Sequence, residues 1–183
     1  MTKGPSQIAL VTMGRNTCQV LSQELRHYLG EEAVVTGYPL DTHVGGPIAA
    51  DLVVSSSQQI SEEGRRCIDQ GSPVIVARRS VNDHELDKLL TIPEGTEVLF
   101  VNDRRSTTLE TIAGLRALGI DHIRYLPYYP GIVEVHRAEI AVTPGEEQLV
   151  PDFVKTIINI QPRSLDISTL VEVSRALGVA GSG

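Results

Sequence analysis

Short hydroxyls, amides and arginines recur in this sequence directly after apolar runs. "TMGRNT" puts Asn16 and Thr17 behind one run, "VVSSSQ" puts Ser56 and Ser57 behind another, and "IVARRS" carries Arg79. The second half of the chain supplies Arg104, Arg105 and Thr107 in "VNDRRSTT" and Arg163 in "NIQPRS". An arginine pairs bidentately with a carboxylate or phosphate, and Ser, Thr and Asn complete the shell around a small polar ligand. The same residue types also cap helices and close loops, so each position has a structural reading beside the binding one. A run of three serines, Ser55 to Ser57, exceeds what one cap requires. The chemistry these residues suit is capture of a small polar or anionic effector. Arg79, Arg104, Arg105 and Arg163 would be its charge clamps, and Asn16, Thr17, Ser56, Ser57 and Thr107 its polar contacts.

Signatures of catalysis are missing. "TMGRNT" lacks the Gly-Lys-Ser/Thr ending of a phosphate-binding loop, no G-x-G-x-x-G follows a strand, and no G-x-S-x-G occurs. The five histidines, His27, His43, His84, His122 and His136, stand at no metal-ligand spacing. No pair of carboxylates suggests an acid and a base with separated pKa values. A phosphorylated receiver domain would need an acidic pair after its first strand and an aspartate ending its third. "VTMG" and "VVSSS" stand there instead, which removes both the metal and the phosphoryl acceptor. The expectation is a binding protein, not an enzyme, with no cofactor and no metal.

Strand-like runs carry these residues: "IALVT" (8–12), "AVVTGY" (33–38), "DLVVSSS" (51–57), "PVIVARR" (73–79), "EVLFVND" (97–103), "HIRYLPY" (122–128), "EIAVTPG" (139–145) and "TIINIQP" (156–162). Stretches with helical spacing lie between most of them, such as Val20, Leu21, Leu25, Leu29 and Ile112, Leu115, Leu118. Near-continuous apolar strands alternating with amphipathic helices predict a parallel sheet in an α/β architecture. In such folds ligands sit beyond the carboxyl ends of the strands, where the polar residues above fall.

The chain also repeats itself. Ile8 to Gly30 overlays Glu97 to Gly119 at an offset of 89 residues, "ADLVVS" overlays "AEIAVT" at 88, and "ARRS" overlays "QPRS" at 84. The expected organisation is an N-terminal lobe over 1–82, a linker over 83–96 punctuated by Pro93 and Gly95, a C-terminal lobe over 97–179, and a frayed tail over 180–183. Both lobes would be Rossmann-like βαβ units from one duplication, with the ligand cleft between them. Thr107 with Glu110, and Thr169 with Glu172, have the spacing of capping boxes.

Composition narrows the partners. The 183 residues carry a net charge of -7 and no tryptophan, and the basic clusters are no larger than pairs such as Arg78–Arg79 and Arg104–Arg105. That balance argues against a nucleic-acid footprint or an acidic membrane surface. No apolar run approaches the ~20 residues of a membrane span, and the N-terminus has no secretion-signal pattern. Two cysteines, Cys18 and Cys67, in predicted helices read as reduced packing residues. The expected location is the cytoplasm.

At "IALVTMGRNT", "ADLVVSSSQ" and above all "INIQPRSLDISTLVEVSRALGV", the chain resembles the N-terminal sensory region of sigma-54-dependent transcriptional activators. It is more loosely similar to the N-terminal domain of the propionate-catabolism activators. The resemblance covers about residues 6 to 179 and contains no catalytic signature. It implies a cytoplasmic signal-input domain that binds a small effector, forms a homodimer, and controls a downstream ATPase and DNA-binding domain absent from this chain. A ligand-free dimerisation module of the same regulator and a stand-alone small-molecule lyase are the competing expectations.

Overall fold

A computed structural model describes residues 4–43, 45–58, 60 and 64–178. The tail expected over 180–183 lies outside the described residues. Each of the eight strand-like runs contains a strand: β1 Ser6–Thr12, β2 Ala33–Pro39, β3 Leu52–Ser55, β4 Val74–Val76, β6 Glu97–Val101, β7 Arg124–Tyr128, β8 Ile140–Thr143 and β9 Thr156–Asn159. Two further strands of two residues each, β5 Arg79–Ser80 and β10 Ser164–Leu165, pair with one another. The helices are α1 Arg15–Leu29, α2 Asp83–Leu90, α3 Arg105–Ala117 and α4 Ile167–Leu177.

The strands form two four-stranded parallel sheets of orders β2-β1-β3-β4 and β7-β6-β8-β9. These are the same order once β6 to β9 are read as second copies of β1 to β4. In unit 1, Ile8 pairs with Val35 on one side and Leu52 on the other. In unit 2, Val98 pairs with Tyr125 and Ile140 in the same way. The structural offset at the central strand is therefore 90 residues (98 − 8), and α1 and α3 open at Arg15 and Arg105 with that same offset. Burial follows it residue by residue, from buried Val11 and Thr12 against buried Val101 and Asn102 to buried Cys18 against buried Thr108. The Leu-Gly helix stops match at the offset of 89 instead. Those match one residue short because α3 is two residues shorter than α1, while Gly119 lies one residue past the C-cap Leu118 and Gly30 is itself the C-cap of α1. Both stops need a positive φ, 56° at Gly30 and 89° at Gly119, which glycine adopts without strain.

Each central strand is apolar on both faces because helices or loops cover both. In unit 1, Ile8 and Leu10 pack with Leu21, Leu25 and Leu29 of α1, while Ala9 and Val11 meet Ile48, Val53, Ile60 and Ile68 on the other face. In unit 2, Val98 and Phe100 pack with Ile112 and Leu115 of α3, and Leu99 and Val101 meet Leu126 and Ala141. The alternation is that of a strand buried on two sides. Gly37 in β2 permits the close seating of α1, since a Cβ there would lie 2.3 Å from Cys18 Sγ.

The division of the chain differs from the linear one expected. Unit 1 comprises the described residues up to Arg79 together with those from Ser164 onward, and unit 2 is Ser80–Arg163. The stretch read as a linker, 83–96, contains α2, whose Leu86 and Leu89 are buried in the core of unit 2. Conversely α4, at the end of the second half, places Val173 in the core of unit 1 beside Leu170 and Leu177. The short strand and the helix behind it match at the offset of 84: Ser80 with Ser164, Asn82 with Asp166, and buried Leu89 with buried Val173. The two halves have thus exchanged equivalent final helices. Sequence adjacency hides such an exchange, because a helix is assigned by what its apolar stripe buries against and not by its neighbours in the chain.

Candidate functional site

In a doubly wound sheet the crevice opens where successive connections run to opposite sides, at the carboxyl ends of the two central strands. In unit 1 that place is the end of β1 and β3, and in unit 2 the end of β6 and β8. Fully buried hydroxyls mark both: Thr12 and Ser55 in the first, Thr143 in the second, with buried Asn102 closing β6. Ser55 and Thr143 occupy equivalent positions at the offset of 88.

These buried groups serve their own loops. Thr12 Oγ1 donates to the carbonyl of Gly14 at 2.8 Å, and Ser55 Oγ to that of Ser57 at 2.9 Å. Thr143 Oγ1 accepts the Glu146 N–H at 3.0 Å, and Asn102 Oδ1 the Asp103 N–H at 2.8 Å. Their role is to fix the loop backbone, since a buried hydroxyl left unpaired would cost about 1–3 kcal/mol.

The candidate contacts distribute as follows. Asn16, exposed, and Thr17, half-buried, lie in the first turn of α1, and Ser56 and Ser57 follow β3. Ser56 is buried and its N–H donates to the carbonyl of Val11, tying the β3 loop to β1. Ser57 Oγ accepts the Ile60 N–H at 3.2 Å and so caps the following turn. Arg79 stands in β5, at the point where the chain leaves unit 1. Arg104 is the residue before α3, Arg105 its exposed first residue, and Thr107 lies in its first turn. Thr107 Oγ1 donates to Asp103 Oδ1 at 2.7 Å. Arg163 is tucked against unit 2, its side chain 15% exposed, with Glu110 at 3.6 Å. Unit 1 therefore gathers Asn16, Thr17, Ser56 and Ser57 at one edge, and unit 2 gathers Arg104, Arg105 and Thr107.

Neither capping box forms. Helix α4 starts at Ile167 behind Asp166, so Thr169 is already helical. Its Oγ1 accepts the Arg78 N–H at 2.9 Å, and Glu172 pairs with the Arg78 guanidinium at 3.1 Å. Helix α3 likewise starts two residues before Thr107, and Glu110 faces Arg163. Spacing alone cannot separate a cap from a tertiary clasp built from the same residue types.

The sequence reasoning also passed over Arg15. It is the exposed first residue of α1, the structural counterpart of Arg105, and the signal was present in "GRNT" against "RRST". The N-cap residues of α1 and α3, Gly14 and Arg104, supply no side-chain cap hydrogen bond. A helix start of that kind, with an arginine at its first position, favours an anion. Among the described residues, no group of three His, Cys, Asp or Glu side chains could hold a metal ion, and no helix is long and apolar enough to cross a membrane. Comparison with protein-family models, curated proteins and solved structures gives no match to this chain.

Proposed function

We propose that the chain is the signal-input domain of a transcriptional regulator of the sigma-54-dependent kind. It binds a small polar or anionic effector at the strand-end edges of its sheets and controls a downstream ATPase and DNA-binding domain. One observation carries the reading: two sheets of identical order each present, at the chain-reversal point, a helix whose N-cap residue, Gly14 or Arg104, supplies no side-chain cap and whose first residue is an exposed arginine, Arg15 or Arg105. A doubly wound sheet hosts many functions, so the weight rests on these residues and not on the fold. An effector acts by preferring one conformational state over another, and its differential affinity sets how far the equilibrium moves.

A thermal-shift screen against small carboxylates, phosphates, sugars and amino acids tests the proposal. A ligand at ~100 times its Kd stabilises the native state by about 2.7 kcal/mol, visible as a shift of several degrees. The screen is repeated on Arg15→Ala and Arg105→Ala. A shift lost in one variant assigns the ligand to that unit, and a shift kept in both overturns the strand-end placement. No shift with any ligand class removes the effector reading.

A further inference from the structure

Between β7 and β8 the chain runs through "GIVEVHRA", residues 131–138, without joining a sheet. Val133 is 99% exposed and Val135 48%, in a unit whose other valines at strand positions are buried. Val133, Glu134, Val135 and His136 alternate apolar with polar, as a strand with one face covered would, before Arg137 breaks the pattern. Among the described residues, no backbone N–H or carbonyl from Val133 to Ala138 meets a protein partner. The segment is held at both ends. The Ile132 N–H donates to the Tyr129 carbonyl, and the Arg137 guanidinium sits 5.0 Å from the centre of the Phe153 ring.

We infer that Val133–Arg137 pairs with the same segment of a second copy of this chain, as a two-stranded antiparallel ribbon centred on Val135. An unpaired row of N–H and carbonyl groups is a template for another strand, and a two-fold axis makes the pairing self-complementary. The sequence suits that register. With Val135 opposite Val135 at a non-hydrogen-bonded position, Glu134 of each chain lies opposite His136 of the other, an acid against a base at both symmetric positions. Val133 then lies opposite Arg137, whose aliphatic stem covers it. The Glu134–His136 pairs exchange the backbone hydrogen bonds of the ribbon. Val135 then packs beside its copy and Val133 beside the Arg137 stem, so part of the apolar surface exposed in a single copy is covered. A ribbon this short gives a weak association that depends on concentration.

The test uses the full chain in a Cys67→Ser background, with circular dichroism confirming the fold of each variant. Val135→Cys places the two thiols directly opposite, within the Cα spacing a disulfide accepts. Oxidation by glutathione disulfide is expected to give a covalent dimer in high yield. Val133→Cys, although more exposed, faces Arg137 and is expected to cross-link several-fold less. Adding Glu134→Lys to Val135→Cys puts a cation opposite His136 and is expected to reduce the yield. Adding His136→Glu as well restores an acid opposite a base and is expected to recover it. Sedimentation of the unmodified chain should show a concentration-dependent dimer that Glu134→Lys weakens. A chain that stays monomeric throughout, equal cross-linking from both cysteine positions, or a dimer indifferent to Glu134→Lys would each overturn the inference. None of these outcomes bears on the thermal-shift result, so the two proposals fail separately.

Discussion

Units 1 and 2 share a sheet order, a pairing register at the central strand and a burial pattern through the first helix, yet their strand-end edges differ in chemistry. Unit 1 presents hydroxyls and an amide, Asn16, Thr17, Ser56 and Ser57, with Arg15 at the helix start. Unit 2 presents charge, with Asp103, Arg104 and Arg105 ahead of Thr107. The framework positions tell the opposite story. Ser55 and Thr143 keep a fully buried hydroxyl at equivalent places and spend it on the loop behind. At the edges Arg15 and Arg105, and Thr17 and Thr107, agree at the offset of 90, while Met13 and Gly14 stand against Asp103 and Arg104, so the second copy adds charge to a shared frame.

The comparison breaks most sharply at the exchanged helices. Leu89 belongs to the first half of the chain but is fully buried in the core of unit 2. Leu89→Ala is expected to destabilise by roughly 2–5 kcal/mol in urea titration. Hydrogen exchange should then show the loss of protection in β6, β8 and α3, not in β1 and α1. Val173→Ala, its counterpart, should loosen unit 1 instead, with a smaller loss because fewer methyl groups leave the core. Loss of protection confined to the neighbouring residues in sequence would contradict the exchange.

A smaller effect separates the second strands. Gly37 and Pro127 stand at equivalent register positions, opposite Leu10 and Phe100 respectively. Only at Gly37 does α1 press a side chain, Cys18, onto the bare backbone. Gly37→Ala should cost ~1–3 kcal/mol through overpacking, and adding Cys18→Ala should recover most of it. A double variant no more stable than the single one would show that the strain lies elsewhere.

The smallest effect is alkaline. Val35 in unit 1 and Tyr125 in unit 2 are equivalent, and only the second titrates. Burial pushes the Tyr125 phenol up from 10.0 to about 12, with Arg116 partly offsetting and Asp121 adding to the rise. Its hydroxyl donates to the Ile120 carbonyl at 2.8 Å. Because the folded pKa lies above the unfolded one, the unfolded chain releases its proton first as pH rises. The contribution is complete below pH 10, falls between about 10 and 12, and is gone above that range. Tyr125→Phe should flatten this part of the stability profile, with a modest loss at neutral pH from the unpaired carbonyl. An unchanged alkaline slope in the variant would assign it to another group.

The architecture was legible in the sequence because β-branched runs buried on both faces leave a strong local signal. "IALVT" and "EVLFV" needed no tertiary information to read as central strands. The helix at Asp83–Leu90 was also legible, from Asn82 as its cap and Leu86 and Leu89 on one face, but Pro93 and Gly95 drew the segment into a linker. What the spacing could not reveal is partnership. Thr169 and Glu172 have the separation of a cap and act as a clasp on Arg78, 91 and 94 residues away in the chain. Ser56 and Ser57 read as ligand contacts; Ser57 Oγ accepts the Ile60 N–H, and the neighbouring Ser55 Oγ donates to the Ser57 carbonyl, since a polar loop over a buried strand end must satisfy its own backbone.

The exchanged helices also set an order of events during synthesis. Unit 1 begins at the first described strand but lacks Leu165 and Val173 until residues 164–178 have left the ribosome. Unit 2 is continuous from Ser80 to Arg163 and has its whole core at hand earlier. The domain whose sequence is begun first is therefore the one finished last. Until then the core of unit 1 lacks the apolar groups of Leu165, Leu170 and Val173, and its unfinished face is a surface for chaperones or for misassembly with a neighbouring nascent chain.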